Sequence, residues 1–496
     1  MKRQKLTRLT KWALGVSVGA AVFLGWLGNL QSGIAIAAMV LASAISYQYP
    51  RTGLWAFLVY LPFGGSVTYA IGDGHPLFHL IKDAFYLPAL IALIQSKPCF
   101  ESFFQTTKPL IPALLGLLTL CLMALLFINL PQQLEAQPPD LPLLMGILGL
   151  KTLMGYIPLM LCAYFLIRNQ RDLLFLNRLH VILILISCSL AFLQYLFLLN
   201  GLCPGSSGLA GTAVHQASLE ARCLVGGSLL YNPQRELIRL PGTFVAPWQW
   251  GWFLISSSFL TYAAHICDSS RQWRWVSWIA IAFVFALTVI SGQRIALALV
   301  PLILLILLLL TDHNKPLIPV KFGIATLLGI VSVNYLDKVH ERLESLVGRW
   351  QASPPYKFVM EQFDWVIAQK EGWLGNGLGR ATNAARILGD TQLIETYYAT
   401  LLYEIGPLGV LAFLALISTL VVLTFKAYRS IQNSDLRRFG LCLWVFMILV
   451  GYNTYYYPLS VDPVAVYYWF FAGVLLKLPI LESKERSLDV TNQNCN

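Results

Sequence analysis

Between Ile295 and Leu310 the chain reads IALALVPLILLILLLL, without one polar side chain. In water such a run would have to be covered on every side; in hydrocarbon it needs no cover. Lipid offers no partner to backbone N–H and C=O groups, so a spanning segment of this kind must satisfy them within itself, as a helix. Comparable runs recur along the sequence. The chain is 57% hydrophobic and 12% charged, against about 25% charged in soluble proteins. The expected fold class is therefore all-α, a polytopic transmembrane bundle of about 12–14 helices with a large external helical loop.

About fourteen spans are expected, at 13–29, 32–48, 54–72, 77–95, 108–130, 142–167, 174–200, 243–265, 273–291, 294–311, 317–335, 397–425, 438–454 and 463–481. Lysine and arginine orient them. The amino-terminal tail carries Lys2, Arg3, Lys5, Arg8 and Lys11, and alternate connections hold Arg51, Lys97, Arg168 with Arg171, Arg271 with Arg274, Lys315, and the run from Lys426 to Arg438. The connections between these, GDGH at 72–75 and PQQLEAQPPD at 131–140, have no lysine or arginine. Both termini are expected in the cytoplasm of a multi-pass plasma (inner) membrane protein. The basic, apolar start imitates a signal peptide, but further spans follow at once, so it reads as a retained anchor. Residues 1–481 read as one membrane domain, with long external loops at 201–241 and 336–395, and 482–496 as a disordered cytoplasmic tail.

Both long loops contain basic residues, arginines in the first and arginines with lysines in the second, which long loops carry across regardless of charge. Their cations also make the outer face attractive to an anionic ligand. In the second loop, Val359, Phe363 and Val366 or Ile367 have helical spacing and predict a helix over 356–369 that rests on the bundle or at the membrane interface. The following GWLGNGLGRATNAARI has the glycines of a tight turn, without the preceding strand a nucleotide fold requires. Of nine cysteines, only Cys203 and Cys223 are placed outside, where oxidising conditions favour a disulfide between them.

Two arginines stand where apolar runs begin. Arg239 precedes PGTFVAPWQWGWFL, and Arg294 follows the short turn TVISGQ. Snorkelling alone accounts for an arginine at a helix end. Yet a guanidinium at a helix amino terminus adds to the positive end of the dipole, a sum that an anion would collect. A phosphate or diphosphate fits, because guanidinium engages it bidentately. Thr243 is placed either to cap the next helix or to offer its hydroxyl to the same anion. Glu395, opening the span after the second loop, reads either as a carboxylate favoured by the helix dipole or as a general base. Glu404, deeper in that span, suits packing or a buried hydrogen bond. Arg349, Lys357, Arg380 and Tyr398 complete the candidate substrate contacts. Tyr455, Tyr456 and Tyr457 fit an interfacial aromatic belt or a stacking surface for sugar rings. Lys82, Asp83 and Lys151 fall within predicted spans, with roles left open. There is no Asp-x-Asp pair and no Walker A loop, and His75 and His79 alone have a metal-ligand-like spacing. No cofactor, metal or nucleic-acid partner is expected.

Four motifs in order, RLPGTFVAPWQWGWFL, TVISGQRIALALVPLILL, GWLGNGLG and ETYYATLLYEIGPLGVLAFL, resemble the O-antigen ligase and polymerase superfamily, and the sequence texture is similar to its cyanobacterial exopolysaccharide members. The resemblance covers roughly residues 235–425. It implies a glycosyltransferase of the membrane C class with a large periplasmic loop, which transfers glycan from a polyprenyl diphosphate carrier to an acceptor hydroxyl with inversion and without metal. It places the family's diphosphate-binding arginines on Arg239 and Arg294. The ligases' His-Asn pair matches Glu395 and Thr396, a departure that favours a polymerase and makes Glu395 the candidate base. The expected function is polymerisation of lipid-linked repeat units for surface or exopolysaccharide, with chain-length regulators or export proteins as partners. The alternatives are a ligase acting on a lipid or protein acceptor, and a flippase or exporter.

Overall fold

The computed structural model describes residues 15–19, 23, 30–95, 97–135, 140–209, 220–232, 237–311, 337–369 and 372–493. The expected span at 317–335 and most of that at 13–29 lie outside the described residues, as does the side chain of Arg349. In chain order the elements are α1 (Leu30–Gln48), α2 (Pro50–Ile71), α3 (Pro76–Ile94), α4 (Phe100–Glu135), α5 (Pro142–Leu166) and α6 (Gln170–Leu199). A short hairpin, β1 (Leu230–Asn232) and β2 (Leu237–Arg239), follows. Then come α7 (Pro247–Cys267), α8 (Arg271–Ile290), α9 (Arg294–Thr311), α10 (Asp337–Ala352), α11 (Pro355–Gln369), α12 (Tyr397–Ser430), α13 (Ser434–Tyr452) and α14 (Val464–Gln493).

The protein is an all-α, multi-pass membrane protein. Among the described residues, ten helices are long and apolar enough to cross a bilayer: α1 to α6, α8, α9, α12 and α14. Two further expected spans exist as helices outside that ten, for different reasons. α7 carries Gln249, Ser256, Ser257, Ser258 and Thr261 and is enclosed by protein: Trp250 through Ala264 are all buried. α13 carries Asp435, Arg437 and Arg438 in its first turns.

The contacts divide the chain into two compact units, each built from two stretches of sequence rather than one contiguous domain: Met1–Phe100 with Phe165–Glu344, and Glu101–Tyr164 with Ser345–Asn496. In the first unit α1 and α3 pack together beside α2, and α7 lies among α6, α8 and α9. Arg178 on α6 grips Asp268, at the end of α7, through two hydrogen bonds of 2.8 and 2.9 Å. In the second unit α12 packs against α4, α13 and α14. Its centre is aromatic: Tyr467, Tyr468, Trp469, Phe470 and Phe471 are buried in succession on α14. Gly473 faces the Met160 backbone so closely that a Cβ would collide with it. Beyond Leu481, where the sequence suggests a disordered tail, α14 continues to Gln493. Lys, Glu, Arg and Leu are good helix formers, and Glu482 pairs with Arg486 one turn on, at 2.9 Å.

Candidate functional site

In the first unit the residues of interest gather where β2 meets the turn between α8 and α9. Arg239 ends β2, paired across the hairpin with Leu230. The next residue, Leu240, donates its N–H to the Ser291 carbonyl at 3.1 Å. Gly292, at φ 67°, presses on the Ile238 carbonyl, where any Cβ would collide with the oxygen. Two residues later Arg294 opens α9. Arg239 and Arg294, distant in sequence, therefore stand on backbone segments in direct contact, and both side chains are half-buried.

The loop Pro241–Ala246 continues this wall. Thr243 O accepts from Ser66 N–H at 3.0 Å, and Phe244 O from Gly227 N–H at 2.7 Å. Gly65, Gly226 and Gly227 each abut this loop's backbone, with no space for a side chain. Thr243 does not cap α7. Pro247 sets the start of that helix, and Gln249 turns back to accept from Val245 N–H at 3.1 Å and Ala246 N–H at 3.2 Å. The hydroxyls of Thr243 and Ser291, the Trp250 indole N–H and the Gln293 amide nitrogen are buried without a hydrogen-bond partner among the described residues. Ser291, Gln293 and Trp250 are not among the sequence candidates, although each lies inside a quoted motif.

A disulfide joins Cys203 to Cys223 with Cα atoms 5.4 Å apart. Its neighbour Arg222 donates to Asp73 at 2.7 Å and to the Tyr69 carbonyl at 2.9 Å. That bond from Arg222 holds the Asp73 carboxyl below its usual range. His75 starts the next turn: its Nδ1 accepts from Leu77 N–H at 3.3 Å and its Nε2 meets the Ser32 hydroxyl at 2.9 Å.

In the second unit Glu395 sits in an extended segment just before α12. Its N–H donates to Gln362 on α11 at 3.1 Å, and its carbonyl accepts from Tyr456 N–H at 3.0 Å. Thr396 bridges to Tyr455, and Tyr397 N–H donates to the Thr454 carbonyl at 2.7 Å. Tyr456 and Tyr457 both have positive φ, 55° and 34°, a costly backbone state for residues with side chains. The Tyr457 phenol is buried, and burial first, then the charge of Glu395, pushes it up to about 12. Asn383 hydrogen-bonds to it, and Arg386 acts on it electrostatically. Glu395, Asn383 and Arg386 thus all act on this one phenol.

The remaining candidates have other partners. Arg380 ion-pairs with Asp140 at 2.8 Å and bonds Gln132 at 3.1 Å. Lys357 lies exposed, 3.9 Å from Glu361 on its own helix. The Tyr398 hydroxyl donates to the Gly451 carbonyl at 2.5 Å. The glycine-rich loop cradles a carboxylate of the protein itself. Glu404, 3% exposed, accepts from Ala381 N–H at 2.8 Å and the Thr382 hydroxyl at 2.9 Å.

No protein-family model and no curated protein matches this chain.

Proposed function

We propose that the protein is a membrane glycosyltransferase that polymerises polyprenyl-diphosphate-linked oligosaccharides on the outer face of the plasma membrane, both termini being cytoplasmic. One observation carries this reading: the backbones bearing Arg239 and Arg294 touch, at the amino terminus of α9. Two guanidinium groups, a helix amino terminus and nearby donors such as Gln293 sum to a positive potential that a diphosphate would neutralise.

In the proposed reaction an acceptor hydroxyl oxygen attacks the anomeric carbon as the carbon–oxygen bond to the diphosphate breaks. The departing diphosphate takes the bonding pair and lies against Arg239 and Arg294, and the hydroxyl proton passes to a general base, the role that the resemblance gives to the Glu395 carboxylate. A single displacement inverts the anomeric centre. Removal of one such charge-stabilising donor commonly costs about 10²–10³ in kcat. Arg294→Ala should show a loss of that order in chain extension from a polyprenyl-diphosphate glycan, and Glu395→Gln should slow turnover while donor binding persists. Unchanged product length with Arg294→Ala removes the arginines from the reaction, and normal turnover with Glu395→Gln removes the base.

A further inference from the structure

α11 presents two kinds of exposed surface. Tyr356, Met360 and Ile367 are spaced four and seven residues apart, which sets them on one side of a helix. They are 72%, 58% and 57% exposed. Lys357, Glu361 and Asp364 occupy the adjoining side. The helix is held to α12 by a third side: Val366 packs with Ala399 and Tyr403, and the Trp365 ring stacks on Tyr403 with centroids 6.0 Å apart. The apolar stripe is thus separate from the face that docks α11 to its own unit.

The depth of this stripe can be read from α12. That helix exposes Leu408, Leu411, Val422 and Phe425. From Leu408 to Phe425 the rise of 1.5 Å per residue gives about 26 Å, close to a hydrocarbon core of roughly 30 Å. One edge of the hydrocarbon therefore lies near Leu408. Tyr403, which anchors α11, lies past that edge, across the Gly406 kink from Leu408. A second marker agrees. The Trp373 carbonyl abuts Gly406, so Trp373 stands at the same edge, and its side chain is 71% exposed. Tryptophan is enriched at this depth, where an apolar ring with one N–H is solvated at both ends.

We propose that α11 and Trp373 lie in the headgroup layer of the bilayer, with Tyr356, Met360, Ile367 and the Trp373 ring seated against lipid. The partner is the membrane surface, and this surface is independent of the glycosyl-transfer chemistry. The test uses the full-length protein in phosphatidylcholine nanodiscs that contain a phosphatidylcholine with a diazirine beside its glycerol backbone. After illumination, lipid adducts are mapped by peptide mass spectrometry. Adducts are expected on 355–369 and 372–376, in yields similar to those around Leu408–Leu411. Replacing Tyr356, Met360 and Ile367 together by serine should lower the 355–369 yield several-fold and leave Leu408–Leu411 unchanged; these side chains are exposed, so folding should persist. Labelling of Leu408–Leu411 without labelling of 355–376 overturns the proposal, whether water or a second copy covers the stripe. Undiminished labelling of the triple variant overturns it equally.

Discussion

At the scale of single residues, charge alone does not mark a ligand contact; the partners of each charge decide. Arg380 illustrates this. Its ion pair with Asp140 and bond to Gln132 tie the glycine-rich loop to the α4–α5 region. With side chains 17% and 28% exposed, the pair is only partly screened. Arg380→Ala should cost about 2 kcal/mol of stability, between exposed and buried ion pairs, while turnover per folded molecule is unchanged. Thermal denaturation beside a turnover assay separates these effects. Tyr457 gives a pH signature. The folded protein holds its phenol proton to about 12, whereas an unfolded chain releases it near pH ~10. Between these values the unfolded state binds fewer protons, so this contribution to stability is intact below pH ~10 and is lost as pH rises towards ~12. Replacing Tyr457 by Phe should flatten that part of the Tm-versus-pH curve relative to the parent protein.

Among the elements, α12 shows how one dipeptide organises its surroundings. Gly406 and Pro407 interrupt the helix, and Gly406 takes φ 68° and ψ −177°, a region open essentially to glycine alone. The kink frees carbonyls that the helix would otherwise use. Tyr403 O accepts from Asn376 N–H at 2.8 Å and Glu404 O from Gly377 N–H at 3.2 Å. Gly375 and Gly406 then meet backbone to backbone. Gly406→Ala should cost at least about 3 kcal/mol, through strain and collision with the Trp373 carbonyl. Gly116, helical on α4 with nothing within 4 Å of a built Cβ, is the control: alanine there should stabilise by about 0.5–1 kcal/mol. Equal Tm values for the two variants would mean that the kink is not constrained as described.

For the whole molecule, membrane sidedness follows from the proposed orientation. α12 crosses between the glycine-rich loop and the basic segment near Gln432. Reporter fusions should find residues 390–393 outside and residues 431–433 in the cytoplasm; the reverse pattern overturns the orientation. The sequence by itself determined that this chain spans a membrane many times and where most of its helices run, because apolar length and the 1.5 Å rise leave an isolated segment little choice. The Cys203–Cys223 disulfide was legible because the two cysteines share one external loop. Other features depended on which backbones touch. Only tertiary contact set Ser291 against Leu240 and so joined the segments that carry Arg239 and Arg294, bound Glu395 to the strained tyrosine turn, and closed the glycine loop on Glu404. Hydrogen bonds and close glycine approaches between segments tens or hundreds of residues apart leave no periodic trace in either segment, so those pairings were decided by the folded structure.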